Sequence, residues 1–132
     1  MITSRWLTDE DYETLAASLE KDEYHLGNVA GFFYEPGTCC NVYEDESGPI
    51  MFLRGCVNKL EQSIDIDIQF VSNLDTRRNM GALFAANKYF VANCKGHGFK
   101  ELIFSTKSPR LKQFCKKYLG FAEVDGRMHK AL

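Results

Sequence analysis

Two aspartates, Asp65 and Asp67, stand two residues apart in a segment that alternates apolar and polar residues from Ser63 to Ser72. In an extended chain they share one face with Gln69, while Ile64, Ile66, Ile68 and Phe70 share the other. A carboxylate on such a face, partly withdrawn from water, holds a proton more tightly and can take one from an amine. A sheet with one face in water has the same pattern, so both readings stand. Downstream come Arg77, Arg78 and Gly81, followed by an apolar helical stripe. Main-chain amides at a helix start near Met80 and Gly81 would point outward unpaired, and the helix dipole adds about half a positive charge there. A glycine lets the backbone come close to an anion, and guanidinium groups add forked donors. Together these parts can hold a diphosphate. A solvated helix end would use the same residues.

The elements that position these groups follow from periodicity and turn signals. Ile2 to Leu7 reads as a strand, and Thr8-Asp9 starts a helix from about Asp9 to Lys21, with Tyr12, Leu15, Ala16 and Leu19 on one stripe. Glu23 to Tyr34 has helical apolar content weakened by Gly27 and Gly31, and Glu35-Pro36-Gly37 breaks the chain. Thr38 to Tyr43, Ile50 to Val57 and Ser63 to Ser72 form a three-stranded meander, its middle strand apolar enough to be buried on both faces. A helix from about Arg78 to Lys95 presents Met80, Leu83, Phe84, Phe90, Val91 and Cys94, and stops at Gly96 and Gly98. After a strand at Glu101 to Ser105, Ser108-Pro109 opens a last helix with Leu111, Phe114, Cys115 and Tyr118 at i, i+3, i+4 and i+7. Asp125-Gly126 joins Phe121–Val124 to Arg127–Ala131 as a hairpin.

With 132 residues, 45% of them hydrophobic, the chain suits one domain with a full core. A net charge of -2 makes no electrostatic case for nucleic acid or an anionic membrane. Lys107, Arg110, Lys112, Lys116 and Lys117 crowd the last helix, as a solvated face or as a rim facing phosphate. Five cysteines at 39, 40, 56, 94 and 115 show neither metal-ligand spacing nor a paired framework. Adjacent Cys39 and Cys40 cannot bridge without strain, and Cys56, Cys94 and Cys115 fall in apolar patterns. Cysteine usage of this kind suits a reducing compartment. No signal peptide opens the sequence and no run approaches a membrane span, so the expected location is the cytoplasm. His25, His97 and His129 are scattered as surface or turn residues would be.

The order of parts from Ser63 to Phe121 resembles the acyl-CoA-binding half of the GCN5-related N-acetyltransferase (GNAT) superfamily. The superfamily carries a turn written R/Q-x-x-G-x-G/A after its fourth strand. Two registers fit here: Arg78-Asn79-Met80-Gly81-Ala82-Leu83, with leucine in a small-residue slot, or Thr76-Arg77-Arg78-Asn79-Met80-Gly81, which keeps only the last glycine. Gly98-Phe99-Lys100-Glu101-Leu102 resembles the entry into the fifth strand, Pro109 to Phe121 the last helix with its Gly-Phe, and Met128-x-Lys130-x-Leu132 the last strand.

The resemblance implies a single acyl-CoA-binding domain over 1–132. It implies a mixed α/β sheet of about six or seven strands in the order β-α-α-β-β-β-α-β-α-β-β. The N-terminal part would be antiparallel, the central parallel pair splayed, and helices would cover both faces. It implies acetyl-CoA as cosubstrate, with pantetheine lying in the splay against the backbone of Phe70 and Val71, and diphosphate at Arg77, Arg78, Asn79, Met80, Gly81 and Ala82. Direct acetyl transfer to a small-molecule or protein amine is then expected, with Asp67 or Asp65 as base. Many relatives place an acidic tyrosine four residues before the Gly-Phe glycine. Here that slot is Lys116, or Cys115 with one extra residue, and Lys116 could instead contact coenzyme phosphate. Tyr24, Phe32, Phe33 and Tyr34 fall where relatives wall the acceptor pocket, although core packing accounts for at least two of them. A scaffold of this fold that has lost its chemistry, such as a phage-encoded structural or host-interacting protein, fits the incomplete slots as well. No membrane partner is expected, and homodimerisation is left open.

Overall fold

The computed structural model describes residues 1–20, 29–71 and 76–132, with side chains at all of these except 67–71 and 76–78. Tyr24, His25 and Gly27 lie outside the described residues, as do the side chains of Asp67, Phe70, Val71, Arg77 and Arg78.

Among the described residues seven strands form one mixed sheet: β1 (Thr3–Trp6), β2 (Thr38–Asp45), β3 (Gly48–Asn58), β4 (Ser63–Val71), β5 (Glu101–Phe104), β6 (Ala122–Val124) and β7 (Arg127–Ala131). Their spatial order is β1-β2-β3-β4-β5-β7-β6. All neighbours are antiparallel except β4 and β5, which run parallel. The middle strand of the meander is buried as its apolar run requires, with Ile50, Met51 and Phe52 at 0% and Leu53 at 3% exposure.

Helices cover both faces. On one, α1 (Tyr12–Glu20) and a 3₁₀ turn (Ala30–Tyr34) pack Leu15, Leu19, Ala30 and Phe33 against Cys40, Val42 and Phe52. Phe33 therefore belongs to the core, and Tyr34 packs against it while its hydroxyl donates to the Thr8 carbonyl. The glycine-broken segment gives a 3₁₀ turn among its described residues. On the other face lie α2 (Thr76–Ala85), a π turn (Ala86–Phe90), α3 (Val91–Gly96) and α4 (Pro109–Tyr118). The expected single helix thus begins two residues earlier and is interrupted by one wide turn. Within that turn Asn87 accepts a hydrogen bond from the Lys130 ammonium of β7 at 2.6 Å, a long-range contact that helical periodicity does not reveal.

Local signals set several ends. Asp125 (φ 51°) and Gly126 (φ 79°) both adopt the left-handed conformation that a two-residue hairpin needs. Ser108 caps α4, its hydroxyl accepting from the Leu111 amide at 3.2 Å, with Pro109 in the first turn. Ser108→Ala is expected to lower unfolding free energy by about 1 kcal/mol, read from urea denaturation.

One ion pair fixes the entry into α1. The Asp11 carboxylate, 7% exposed, accepts from both terminal nitrogens of Arg5 at 2.7 and 2.8 Å and from the Thr8 amide at 2.9 Å. Arg5 also donates to Glu44 at 2.8 Å, tying β1 to β2.

All five cysteines are free thiols. Cys94 and Cys115 are buried and Cys56 is half-buried beside the Arg54 guanidinium. Among the described residues no helix is long and apolar enough to cross a membrane, and no group of histidine, cysteine, aspartate and glutamate is placed to hold a metal ion.

Candidate active site

The central parallel pair is joined over only half its length. β4 and β5 pair from Ser63–Glu101 to Ile66–Phe104, where β5 ends. β4 continues to Val71, held on its other side by β3, whose Met51 is the register partner of Val71. From residue 67 onward the β5-facing edge of β4 has no partner strand among the described residues. A strand edge without a partner strand is where an extended ligand can add.

The parting coincides with a β-bulge. Gly55 of β3 stands opposite Ile66, and the next residue back, Arg54, stands opposite Ile68, so Asp67 is the extra residue. The uniform alternation expected from Ile64 to Phe70 therefore does not run through. A bulge bends its strand and shifts the register by one, which strict two-residue spacing cannot show. Asp67 is placed by its backbone at the point where β4 leaves β5.

Asp65 is on the sheet face opposite Ile64 and Ile66, which pack under α2 and α3. Its carboxylate accepts from Arg127 at 2.7 Å, and the same guanidinium donates to Ser105 at 3.0 Å. Arg127 thus reaches from β7 across β5 to β4 at the mouth of the gap. Beside it His129 meets Glu101 at 2.5 Å. This polar row was not singled out from sequence, although the alternation Arg127, Met128, His129 marks one of its faces. His97 contacts the Asn93 carbonyl at the end of α3.

The helix start differs from expectation. α2 begins at Thr76, so both registers of the glycine turn lie within it. The free amides of its first turn include those of residues 76 to 78, and the amides of Met80, Gly81 and Ala82 bond within the helix. Good helix formers, Arg77 and Arg78, carry the helix upstream. A Cβ at Gly81 would come within 2.6 Å of Ile2 Cδ1, the end of a side chain that can swing aside. Met80 is 41% exposed, Asn79 half-buried and Ala82 fully buried.

The two acid candidates lie on different faces of α4. Cys115 is 3% exposed, and burial pushes its thiol up to about 11. Lys116 is held at the surface by Glu123 at 3.0 Å, with Lys112 on the same carboxylate. Tyr118 is exposed, its ring against Phe114 and Phe84. Cys115 also lines an apolar cavity between the sheet and the helices, bounded by Ile66, Leu83, Ala86, Phe90 and Phe104. Lys130 donates to Asn87, which lines this cavity, and to the Leu119 carbonyl at the end of α4, and burial lowers the basicity of its amine.

No family model matches the sequence, and no curated protein matches it by sequence. Solved structures match its fold along nearly the whole chain. A GNAT-family acetyltransferase from Staphylococcus aureus Mu50 is similar with a TM-score of 0.74 at 12% identity, over 100% of this chain and 99% of that one. The ribosomal-protein-S18-alanine N-acetyltransferase from Escherichia coli is similar with a TM-score of 0.74 at 14% identity, over 99% and 90%. A GNAT-family acetyltransferase from Brucella melitensis, in complex with acetyl-CoA, is similar with a TM-score of 0.71 at 10% identity, over 100% and 88%. At such identities the likeness is one of backbone architecture. The sheet whose parallel central pair parts beyond Ile66 is the fold of the GNAT acetyltransferases.

Proposed function

We propose that the chain is an acyl-CoA-dependent N-acetyltransferase that moves an acetyl group directly from acetyl-CoA to an amine. The observation that carries this reading is that β4 beyond Ile66 has no strand partner among the described residues on the side where β5 ends at Phe104. Pantetheine, an extended chain of amides, fits that edge as an added strand, against the backbone of Phe70 and Val71. The first-turn amides of α2 then lie downstream for the diphosphate, with Arg77 and Arg78 as charged donors and Asn79, Met80, Gly81 and Ala82 along the same helix. Lys116 would reach phosphate only by leaving Glu123.

In the reaction the amine nitrogen forms a bond to the thioester carbonyl carbon, the carbon–sulfur bond breaks, and the sulfur leaves as a thiolate. The amine's proton passes to a base, and a proton returns to the thiolate. Asp67, the bulged residue at the parting, is assigned as base ahead of Asp65, whose oxygen is occupied by Arg127. The proton returns to the thiolate from solvent, with Cys115 ranked behind it, because burial pushes that thiol up to about 11 and makes it a weaker acid than an ordinary thiol of about 8.5.

Two features favour a second reading, a scaffold of this fold that has lost its chemistry: Asp65 is bound to a guanidinium and Cys115 is closed off from solvent. Acetyl-CoA at 100 times its Kd is expected to stabilise the fold by about 2.7 kcal/mol, roughly a 10 °C rise in Tm. Arg77→Ala or Arg78→Ala is expected to weaken binding about tenfold or more. Mass spectrometry of an amine panel completes the test. A shift with acetylated product supports the enzyme, a shift without product keeps coenzyme binding without turnover on that panel, and no shift overturns the enzyme in favour of a scaffold that has lost its chemistry.

A further inference from the structure

Resting on the coenzyme reading above, we propose that the apolar cavity beneath the β4–β5 parting is an acyl-chain pocket, and that butyryl-CoA is bound more tightly than acetyl-CoA. Ile66 and Phe104, the last residues to pair before the strands part, both stand in the cavity wall. A thioester carbonyl seated at the parting therefore has the cavity next to it.

The lining suits hydrocarbon and not water. Of the described lining residues only Asn87 carries side-chain oxygen or nitrogen, and its carbonyl oxygen already accepts from Lys130 at 2.6 Å. A water needs about two to four polar partners, and a pocket walled by apolar side chains offers too few of them and favours apolar guests. The volume open to the centre of a water-sized group is about 40 Å³. At roughly 10–15 Å³ for each such group, about three fit. A methylene is about the size of a water, so three carbons beyond the thioester carbonyl are accommodated, the length of a butyryl chain.

The π turn shapes this wall. It presents Ala86, a small residue, together with Asn87 and Phe90, and Lys130 fixes the turn in place. Single π turns inside helices are common at functional sites.

Isothermal titration calorimetry with CoA, acetyl-CoA, butyryl-CoA and hexanoyl-CoA tests the proposal on the intact protein. Each buried methylene gains about fourfold in affinity, so butyryl-CoA is expected to bind roughly 15-fold more tightly than acetyl-CoA, with no further gain for hexanoyl-CoA. Ala86→Leu fills the pocket and is expected to bring the butyryl-to-acetyl ratio close to one. Leu83→Ala enlarges it and is expected to move the optimum to hexanoyl-CoA, and circular dichroism verifies folding of each. Equal affinity for acetyl-CoA and butyryl-CoA, or a ratio unchanged in both variants, overturns the pocket and leaves the coenzyme reading standing. Absence of binding by every CoA species overturns the coenzyme reading, and the pocket with it.

Discussion

Asp67→Asn is expected to lower kcat for acetyl transfer by about 10²–10⁴, with the KM for acetyl-CoA unchanged. An amine is protonated at neutral pH and cannot attack a thioester until a base takes its proton. Asparagine keeps the size and removes the base, so the loss falls on the chemical step and not on coenzyme binding. The bulge makes Asp67 the one β4 residue without a register partner on β3, at the point where β4 loses β5. Asp65→Asn gives the contrast. It weakens a charge-assisted contact to Arg127 between side chains that are 41% and 43% exposed, a contact worth at most about 1 kcal/mol at the surface, and turnover is expected to stay within a few fold. Steady-state kinetics of the two variants decide between them. Loss of turnover in Asp65→Asn alone moves the base to Asp65.

Asp11→Ala is expected to destabilise the fold by about 2–3 kcal/mol, read from the midpoint of urea unfolding. Removing one partner of a buried ion pair leaves the other charge unpaired. Here the cost is moderated because Arg5 keeps Glu44 and is 35% exposed. The same pair sets an acid limit. Hydrogen bonds from Arg5 hold the Asp11 carboxyl below the ordinary carboxylate range, against the opposing effect of burial. Between the folded value and the unfolded value of about 3.9, the unfolded chain binds more protons. The pair's contribution is thus full above the unfolded value and is lost as pH falls through the folded one. Stability of the parent should therefore decline more steeply below about pH 4 than that of Asp11→Ala, measured as ΔG against pH.

Elements written in local chemistry could be read directly. Ser108-Pro109 starts a helix because the hydroxyl and the ring act on their own turn, and Asp125-Gly126 makes a hairpin because both residues tolerate positive φ. The apolar run Ile50 to Leu53 could only be a strand covered on both sides. Features that depend on a partner far along the chain were hidden. The bulge at Asp67 arises from register against Arg54 and Gly55, and the residues around it keep an unbroken apolar–polar rhythm. The π turn answers to Lys130, 43 residues from Asn87. The start of α2 at Thr76 was obscured because the glycine turn invites a later start. Arg127 reaches Asp65 across 62 residues, so its place beside the site is set by sheet order and not by spacing.

The two outermost strands bear on self-association. β1 has four residues and β6 three, and each carries a charge that is already paired, Arg5 with Glu44 and Glu123 with Lys112 and Lys116. A second copy laid along either margin would gain only a few ladder bonds and would disturb those pairs. The sheet is thereby protected against growing into a fibre at its ends, and a twofold assembly through either outer strand is disfavoured.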